Sequence, residues 1–386
     1  MSRNKILYLT YDGLLEPLGY TQVLKYLEGL SRNFTISVVS FEKPNHLSNT
    51  KNVERIKKIL RNKGIKWIVH KYHQKPQIPS TIYDLLILTF TLFYQRIFFN
   101  YNVLHLRGYV LGIPLVFLNW LLNFKIIFDI RGFWVDEKVD RDNWSKESYK
   151  YKFMKFIERI LFRKAVKIVT LTEMSKNIIK EQHNINQETI LVIRTCAEKV
   201  KTFKRIDNKK LNFGYLGSTG RAYNFEETLK FFKIMKQTFD VGKLFIFSGD
   251  ERSKIEEMIA TCDLSSESYE INFAERKDIA YAFKKFDCLL FNLKVNFSIS
   301  ASMPTKIGES LSANVPVLCN NFNEDILEIS AFNNACKIIN FNNPNPQEVK
   351  DFLLNDSLDE RCQNTYRKFF TLEDGVEKYK QIYKDV

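Results

Sequence analysis

The sequence predicts an α/β protein made of two doubly wound, parallel-sheet domains. Three observations carry the prediction. The chain opens as strand, loop, helix and strand: residues 5–11 (KILYLTY) are an apolar, β-rich run, 12–19 hold Gly13, Pro17 and Gly19, and 35–41 (TISVVSF) form the next run. The pattern repeats, then restarts at 213–217 (FGYLG) after a polar, basic stretch without periodicity at 199–210. A length of 386 residues with 45% hydrophobic content suffices for two such cores.

The elements follow in order. Thr21 is positioned to cap the first helix, whose apolar face is Val23, Leu24, Leu27 and Leu30. A charged helix is expected over 52–61, strands over 66–69, 103–106 and 125–129, and helices over 82–99 and 113–122. Residues 147–164 read as a helix rich in Lys and aromatics, 166–171 as a strand, 173–182 as a helix and 190–193 as a strand. After the break, a strand at 213–217, a loop at 218–224 and a helix at 225–236 begin the second series. Its further strands are expected at 243–247, 269–273, 288–291, 315–318 and 335–339. The expected division is a first domain over 1–198, a linker over 199–210 and a second domain over 211–370. An amphipathic helix closes the chain over 371–386. It carries Leu372, Val376, Tyr379, Ile382 and Tyr383, has no strand of its own to cover, and is expected to return to the first domain. Ligands of such sheets sit beyond the carboxyl ends of the strands, and with two domains the expected site is the cleft between them.

Composition narrows the function classes. The net charge of +14 suits nucleic acid, an anionic membrane or anionic small ligands. Lys, Asn, Ile and Phe are abundant throughout, so biased composition accounts for most of that charge, with membrane attraction second. No basic stripe with a known nucleic-acid fold is present, which argues against nucleic acid. The six cysteines are dispersed, with no C-x-x-C pair, so neither a disulfide framework nor a zinc site is expected, as in a reducing cytosol. A strand starts almost at once, so no signal peptide is expected. The most apolar run, 85–94, lies between Asp84 and Gln95-Arg96 and is expected to be too short to cross a bilayer. Residues 149–156 (YKYKFMKF) alternate aromatic and basic side chains. They fit either docking on anionic lipid or a helix packed on the sheet with solvated lysines.

The stretch 300–320 carries the most chemistry. It reads as loop, helix and buried strand. Pro304 is expected at the first helical position, where its missing N–H is no loss. The backbone N–H groups there would face an anion, and Lys306 adds a mobile positive charge. Glu309 lies one turn on, beside Thr305 and Lys306. A phosphate at the helix start and a carboxylate one turn later suit a nucleotide, the second accepting from ribose hydroxyls. An ordinary capped helix is the competing reading. Asp129, Arg131, Asp136 and Glu137 cluster after the 125–129 strand, either to contact a ligand or as a solvated loop with a structural Asp–Arg pair. Trp134 is either a sugar platform or core. Arg107 follows a strand, as a cleft-lining residue or part of a turn, and His105 reads as a satisfied core histidine.

Here the chain resembles glycosyltransferase family 4, with the GT-B arrangement of two Rossmann-like domains. The resemblance spans nearly the whole chain. It rests on YLTYDG (8–13) with EPLGYTQV (16–23) and SFEK (40–43), on DIRGFWVDE (129–137), on YLGS (215–218) with Tyr223-Asn224, and most strongly on SMPTKIGE (302–309). It implies transfer of a sugar from a nucleotide donor with retention, the donor on the second domain and the acceptor on the first. It implies that Glu309 binds the donor ribose and that Ser302, Met303, Pro304, Thr305 and Lys306 surround the donor phosphates. Gly217 and Ser218 match the glycine turn near those phosphates, Arg221 is the equivalent of the phosphate-binding arginine, and Gly19 matches the glycine loop that approaches the sugar. Asp129, Arg131 and Glu309 are the candidate catalytic residues; Arg107, Trp134, Asp136 and Glu137 are the acceptor candidates. Three departures from the family pattern stand out: Ala301 stands where many members carry a glutamate, Asp129 and Arg131 occupy the region where many carry a histidine, and Arg221 stands in for the arginine that follows the glycine turn in many relatives.

No metal or cofactor is expected beyond a UDP- or GDP-linked sugar as substrate. Asp140-Arg-Asp142 fits the Asp-x-Asp of metal-dependent enzymes, but such triplets arise by chance and this one is read as part of a charged loop. The expected acceptor is a lipid-linked saccharide in cell-surface polysaccharide synthesis, at the cytoplasmic face of an anionic membrane. The alternatives are a nucleotide-sugar hydrolase or epimerase of the same fold, or a binding protein that has lost catalysis.

Overall fold

The computed structural model describes residues 4–142, 144–200, 210–220, 222–273 and 279–386. The chain divides into two compact units. One comprises Met1–Arg194, Ala301–Met303 and Leu372–Val386; the other comprises Thr195–Ser300 and Pro304–Thr371. Most of the expected linker, with Arg221, lies outside the described residues.

The first unit holds seven strands: β1 (Lys5–Thr10), β2 (Thr35–Glu42), β3 (Lys66–Lys71), β4 (Val103–Arg107), β5 (Lys125–Asp129), β6 (Ala165–Thr170) and β7 (Ile190–Val192). Every pairing is parallel, in the order β3-β2-β1-β4-β5-β6-β7. The central strands are buried on both faces, which is why their sequences are continuous apolar runs without alternation. The order reverses between β1 and β4, and ligands of such sheets bind beyond the carboxyl ends of the strands at that switch.

The second unit repeats the scheme with β8 (Phe213–Leu216), β9 (Leu244–Ser248), β10 (Tyr269–Phe273), β11 (Cys288–Phe291), β12 (Val317–Cys319) and β13 (Cys336–Ile338). Its order, β10-β9-β8-β11-β12-β13, is also all parallel, with the switch between β8 and β11. The two doubly wound sheets expected from the sequence are thus present, each with the same strand order.

Local differences from the sequence reading have physical causes. The first helix begins at Pro17, before the expected cap at Thr21. Pro17 has no N–H to leave unsatisfied, and Glu16 ahead of it is extended, so the helix starts there and Gly19 lies inside it. Thr21 instead donates to the Pro17 carbonyl at 2.9 Å within a π-helical stretch, Tyr20–Leu24. The helix expected over 82–99 spans Gln77–Phe99, 23 residues, and by length and composition it is long and apolar enough to cross a membrane. The apolar helix is therefore longer than the expected run 85–94: it passes Asp84, Gln95 and Arg96, and Asn100 closes it in the left-handed conformation at φ 52°.

The terminal helix, Leu372–Asp385, lies on the first unit against helix Lys25–Leu30. Gly29 makes that approach possible: a Cβ there would sit 2.8 Å from Val376. Its tyrosines do more than fill space.

Candidate functional site

On the first unit, the residues beyond β4 and β5 form a buried charged network. Asp129 ends β5 and has no exposure. Its Oδ2 accepts from the Tyr379 hydroxyl at 2.7 Å and lies 3.4 Å from His105 Nε2 and 3.8 Å from Arg107 Nη1. Its Oδ1 lies 3.8 Å from Arg131 Nη1. Burial pushes this carboxyl up, but the guanidiniums of Arg131 and Arg107 and the His105 contact outweigh it and hold the group down at about 2. Burial lowers His105 despite Asp129. A carboxylate only accepts, so neutral His105 carries its proton on Nε2 and leaves Nδ1 to accept from the Tyr383 hydroxyl, 2.7 Å away. His105 is the satisfied core histidine expected.

Asp129 is thus fully buried, with its two oxygens each 3.8 Å from an arginine, Arg107 and Arg131. Arg107, also buried, reaches Asp12 beyond β1 with Nε at 3.3 Å from Oδ2. Its Nη1 is buried without a hydrogen-bond partner among the described residues, as is Asp129 Oδ1. Arg131 is held at φ 46° and donates to Gln22 at 3.2 Å.

The other acceptor candidates are drawn elsewhere. The expected loop is a helix, Trp134–Asp142, with Asp136 and Glu137 in its first turn. Asp136 accepts from the Tyr151 hydroxyl at 2.9 Å and from Lys155 at 3.0 Å; Glu137 pairs with Arg141. Asp136 is thus tied to helix Tyr149–Lys164, and Glu137, partly exposed, pairs along its own helix. Trp134 stacks 6.2 Å from Tyr109 and is partly buried. Asp140 and Asp142 belong to the same helix and not to a loop, and Asp142 pairs with Lys138.

The loop between β1 and the first helix is shaped by two close approaches. A Cβ at Gly19 would meet the Gly13 carbonyl oxygen at 1.9 Å, and one at Gly13 would meet Glu42 Oε2 at 2.4 Å. Glu42, fully buried at the end of β2, accepts from the Leu14 amide at 2.7 Å, the Leu15 amide at 3.2 Å and the Ser40 hydroxyl at 2.6 Å. Burial raises its pKa against those hydrogen bonds. It thus holds the glycine loop in place, a role that the sequence pattern alone did not single out.

On the second unit, Gly217 follows β8 at φ 137°, and a Cβ there would lie 2.0 Å from Lys306 Nζ. Glycine is what lets the lysine lie across the turn. Lys306 Nζ donates to the Tyr223 hydroxyl at 2.9 Å and sits 4.8 Å from that ring's centre, so it is less mobile than expected. Its partner is neutral, and no carboxylate pairs with it among the described residues, which leaves its charge for an anion. Ser218 is pinned: its hydroxyl donates to Asp250 Oδ2 at 2.9 Å, beside the Thr219 amide at 2.6 Å. Pro304 is the residue before helix Thr305–Ser312, extended at ψ 132°, one place earlier than expected. Its carbonyl accepts from Ile307, so it opens the helix as a cap while the first helical turn begins at Thr305. Thr305 and Lys306 are partly exposed and Glu309 is buried one turn on. Ser302, partly exposed, and Met303, buried, belong to the short stretch grouped with the first unit. Helix Thr305–Ser312 is backed by Phe370, which a Cβ on Gly308 would approach to 2.9 Å.

Residues 197–369 match the family described as Glycosyl transferases group 1. Among solved structures, the chain is similar to a glycosyltransferase from Rickettsia africae ESF-5, with a TM-score of 0.69 and 14% identity over 100% of this chain and 99% of that one. It is similar to sucrose-phosphate synthase from Thermosynechococcus elongatus, with a TM-score of 0.71 and 9% identity over 99% of both chains. Anabaena Alr3699/HepE in complex with UDP and glucose gives 0.67 and 10% identity over 100% of both. No curated protein matches the chain. At these identities the likeness is one of fold, and the fold is that of the GT-B glycosyltransferases.

Proposed function

We propose that this protein is a retaining, metal-free glycosyltransferase. It moves a sugar from a UDP- or GDP-linked donor to a saccharide acceptor, lipid-linked and at the cytoplasmic membrane face, in cell-surface polysaccharide synthesis. The observation that carries the reading is on the second unit: Gly217, Lys306 without a carboxylate partner among the described residues, and the start of helix Thr305–Ser312, with Glu309 one turn on. The match of residues 197–369 to a glycosyltransferase family supports it.

The chemistry follows from charge. When the bond from the anomeric carbon to the diphosphate breaks, negative charge grows on the leaving phosphate. The helix amides and the Lys306 ammonium stabilise that charge where it develops. Glu309 accepts from the ribose hydroxyls. The acceptor hydroxyl attacks the anomeric carbon on the face the diphosphate leaves, and its proton passes to a phosphate oxygen. Arg107 and Arg131, fixed by Asp129, hold the acceptor side.

The test is a thermal-shift panel of UDP, GDP, ADP, TDP and CMP on wild type and Glu309→Gln. One diphosphate should stabilise the wild type and lose that effect in the variant. Equal shifts in both proteins would remove the ribose role, and no shift from any nucleotide would remove the donor site. EDTA should leave transfer intact; activity lost to EDTA and restored by manganese would overturn the metal-free reaction.

A further inference from the structure

Helix Gln77–Phe99 is amphipathic in the wrong sense for water. Its inward stripe includes Ser80, Asp84 and Gln95 together with Leu88 and Leu92, all buried. Asp84 has no exposure and accepts from Tyr11 at 3.2 Å and from the His73 amide at 3.1 Å. Its outward stripe, at four-residue spacing, is Ile82, Leu86, Phe90, Tyr94 and Phe98, each more than half exposed, with Phe90 at 74%. Asp84 and Arg96 are its sole charges. Helix Ile113–Leu122 packs beside it, carries no charge, and exposes Phe117 at 51% and Trp120 at 77%. A patch this large and aromatic marks an interaction surface.

What covers it is indicated by charge. Helix Ile113–Leu122 also packs against helix Tyr149–Lys164, which has six basic residues against one acidic residue, Glu158. Arg159 and Arg163 of that helix are exposed, as is Phe156 between its inward positions. Beside the outward stripe, a groove with a volume of about 460 Å³ is lined by Phe90, Tyr94 and Ile68 together with Lys66. Apolar and aromatic side chains bordered by cations match an acyl layer under anionic headgroups. Helix Gln77–Phe99 is long enough to span, but Leu88 and Leu92 are in the core and Asp84 is hydrogen-bonded there. Crossing would strip those contacts, so the helix lies flat.

We infer that the outward faces of helices Gln77–Phe99 and Ile113–Leu122, flanked by the basic helix Tyr149–Lys164, dock the first unit on an anionic lipid bilayer. The inference rests on the membrane location proposed above and names the surface that provides it.

The experiment is vesicle flotation of the full chain with mixed phosphatidylglycerol and phosphatidylcholine, against phosphatidylcholine alone. The wild type should float with the mixed vesicles and much less with the neutral ones. Phe90→Glu combined with Trp120→Glu should weaken binding by about tenfold or more, because each charge would enter the acyl boundary. Both positions are exposed, and an unchanged nucleotide-induced thermal shift in the double variant would show that the fold and the donor site are intact. Absence of flotation by the wild type, or equal flotation with neutral vesicles, would overturn the proposal. A dimer in vesicle-free buffer that the double variant dissolves would overturn it too, assigning the face to a second copy. A wild type that floats but binds no nucleotide would leave the docking face standing and remove the transferase reading.

Discussion

The hydroxyl of Tyr379 donates a 2.7 Å hydrogen bond to Oδ2 of Asp129, joining residues 250 positions apart in the sequence. Tyr383, one turn on, does the same for His105 at 2.7 Å. The last helix therefore completes a charged network under the carboxyl ends of β4 and β5. Asp129 in turn fixes Arg107 and Arg131, so the final residues of the chain help set where two cations stand.

Tyr379→Phe keeps the ring packing and removes one donor to a buried carboxylate. It should destabilise the protein by about 1.5–3 kcal/mol. A lower urea midpoint with an unchanged slope would be the sign; an unchanged midpoint would mean that Asp129 is satisfied without it.

Glu42→Ala should release the loop between β1 and the first helix. The Leu14 and Leu15 amides and the Ser40 hydroxyl would lose their acceptor, at a cost of about 1–3 kcal/mol. Limited proteolysis should then cut within residues 12–16 faster than in wild type. Under the proposed reaction, kcat should fall while nucleotide binding to the second unit is kept.

Gly217→Ala combines a disfavoured φ of 137° with a 2.0 Å approach to Lys306 Nζ. Stability should fall by about 1–3 kcal/mol, and affinity for the nucleoside diphosphate that stabilises the wild type about tenfold. Adding Lys306→Ala removes the clash, so part of the stability should return while the affinity does not. Calorimetric titration of both variants separates the two effects.

Glu158 gives the protein a pH dependence. Burial raises its carboxyl to about 7, against Lys155, which lowers it, and with Asp136 and the Tyr109 hydroxyl nearby. The folded state therefore holds this proton at pH values where the unfolded chain, with a carboxyl near about 4.3, has released it. Between those values the native protein binds more protons, so stability falls as pH rises, by on the order of 3–4 kcal/mol. Glu158→Gln should flatten the slope of unfolding free energy against pH across that window. An identical slope in the variant would assign the effect to another group.

Much of this protein is legible in its sequence, because parallel strands buried on both faces must be apolar throughout. Runs such as KILYLT and KIIFD state their own role, and two series of them with a break between dictate two doubly wound sheets. The helix Thr305–Ser312 was legible for a similar reason. Pro304, Lys306 and Glu309 lie within six residues, and local spacing alone puts the lysine and the carboxylate near one helix start.

Only the tertiary structure decided which charged residues are free and which are held. Asp136 and Glu137 stand seven and eight positions after Asp129 in the sequence, yet helix formation from Trp134 turns them to Lys155, Tyr151 and Arg141. Nothing in the composition of the last helix distinguishes tyrosines that pack from tyrosines that donate to a buried carboxylate. The outward aromatic stripe of helix Gln77–Phe99 likewise exists only once Asp84 is seen to face inward. Hydrogen-bond partners far apart in the chain are fixed by how elements pack, and local propensity carries no record of that choice.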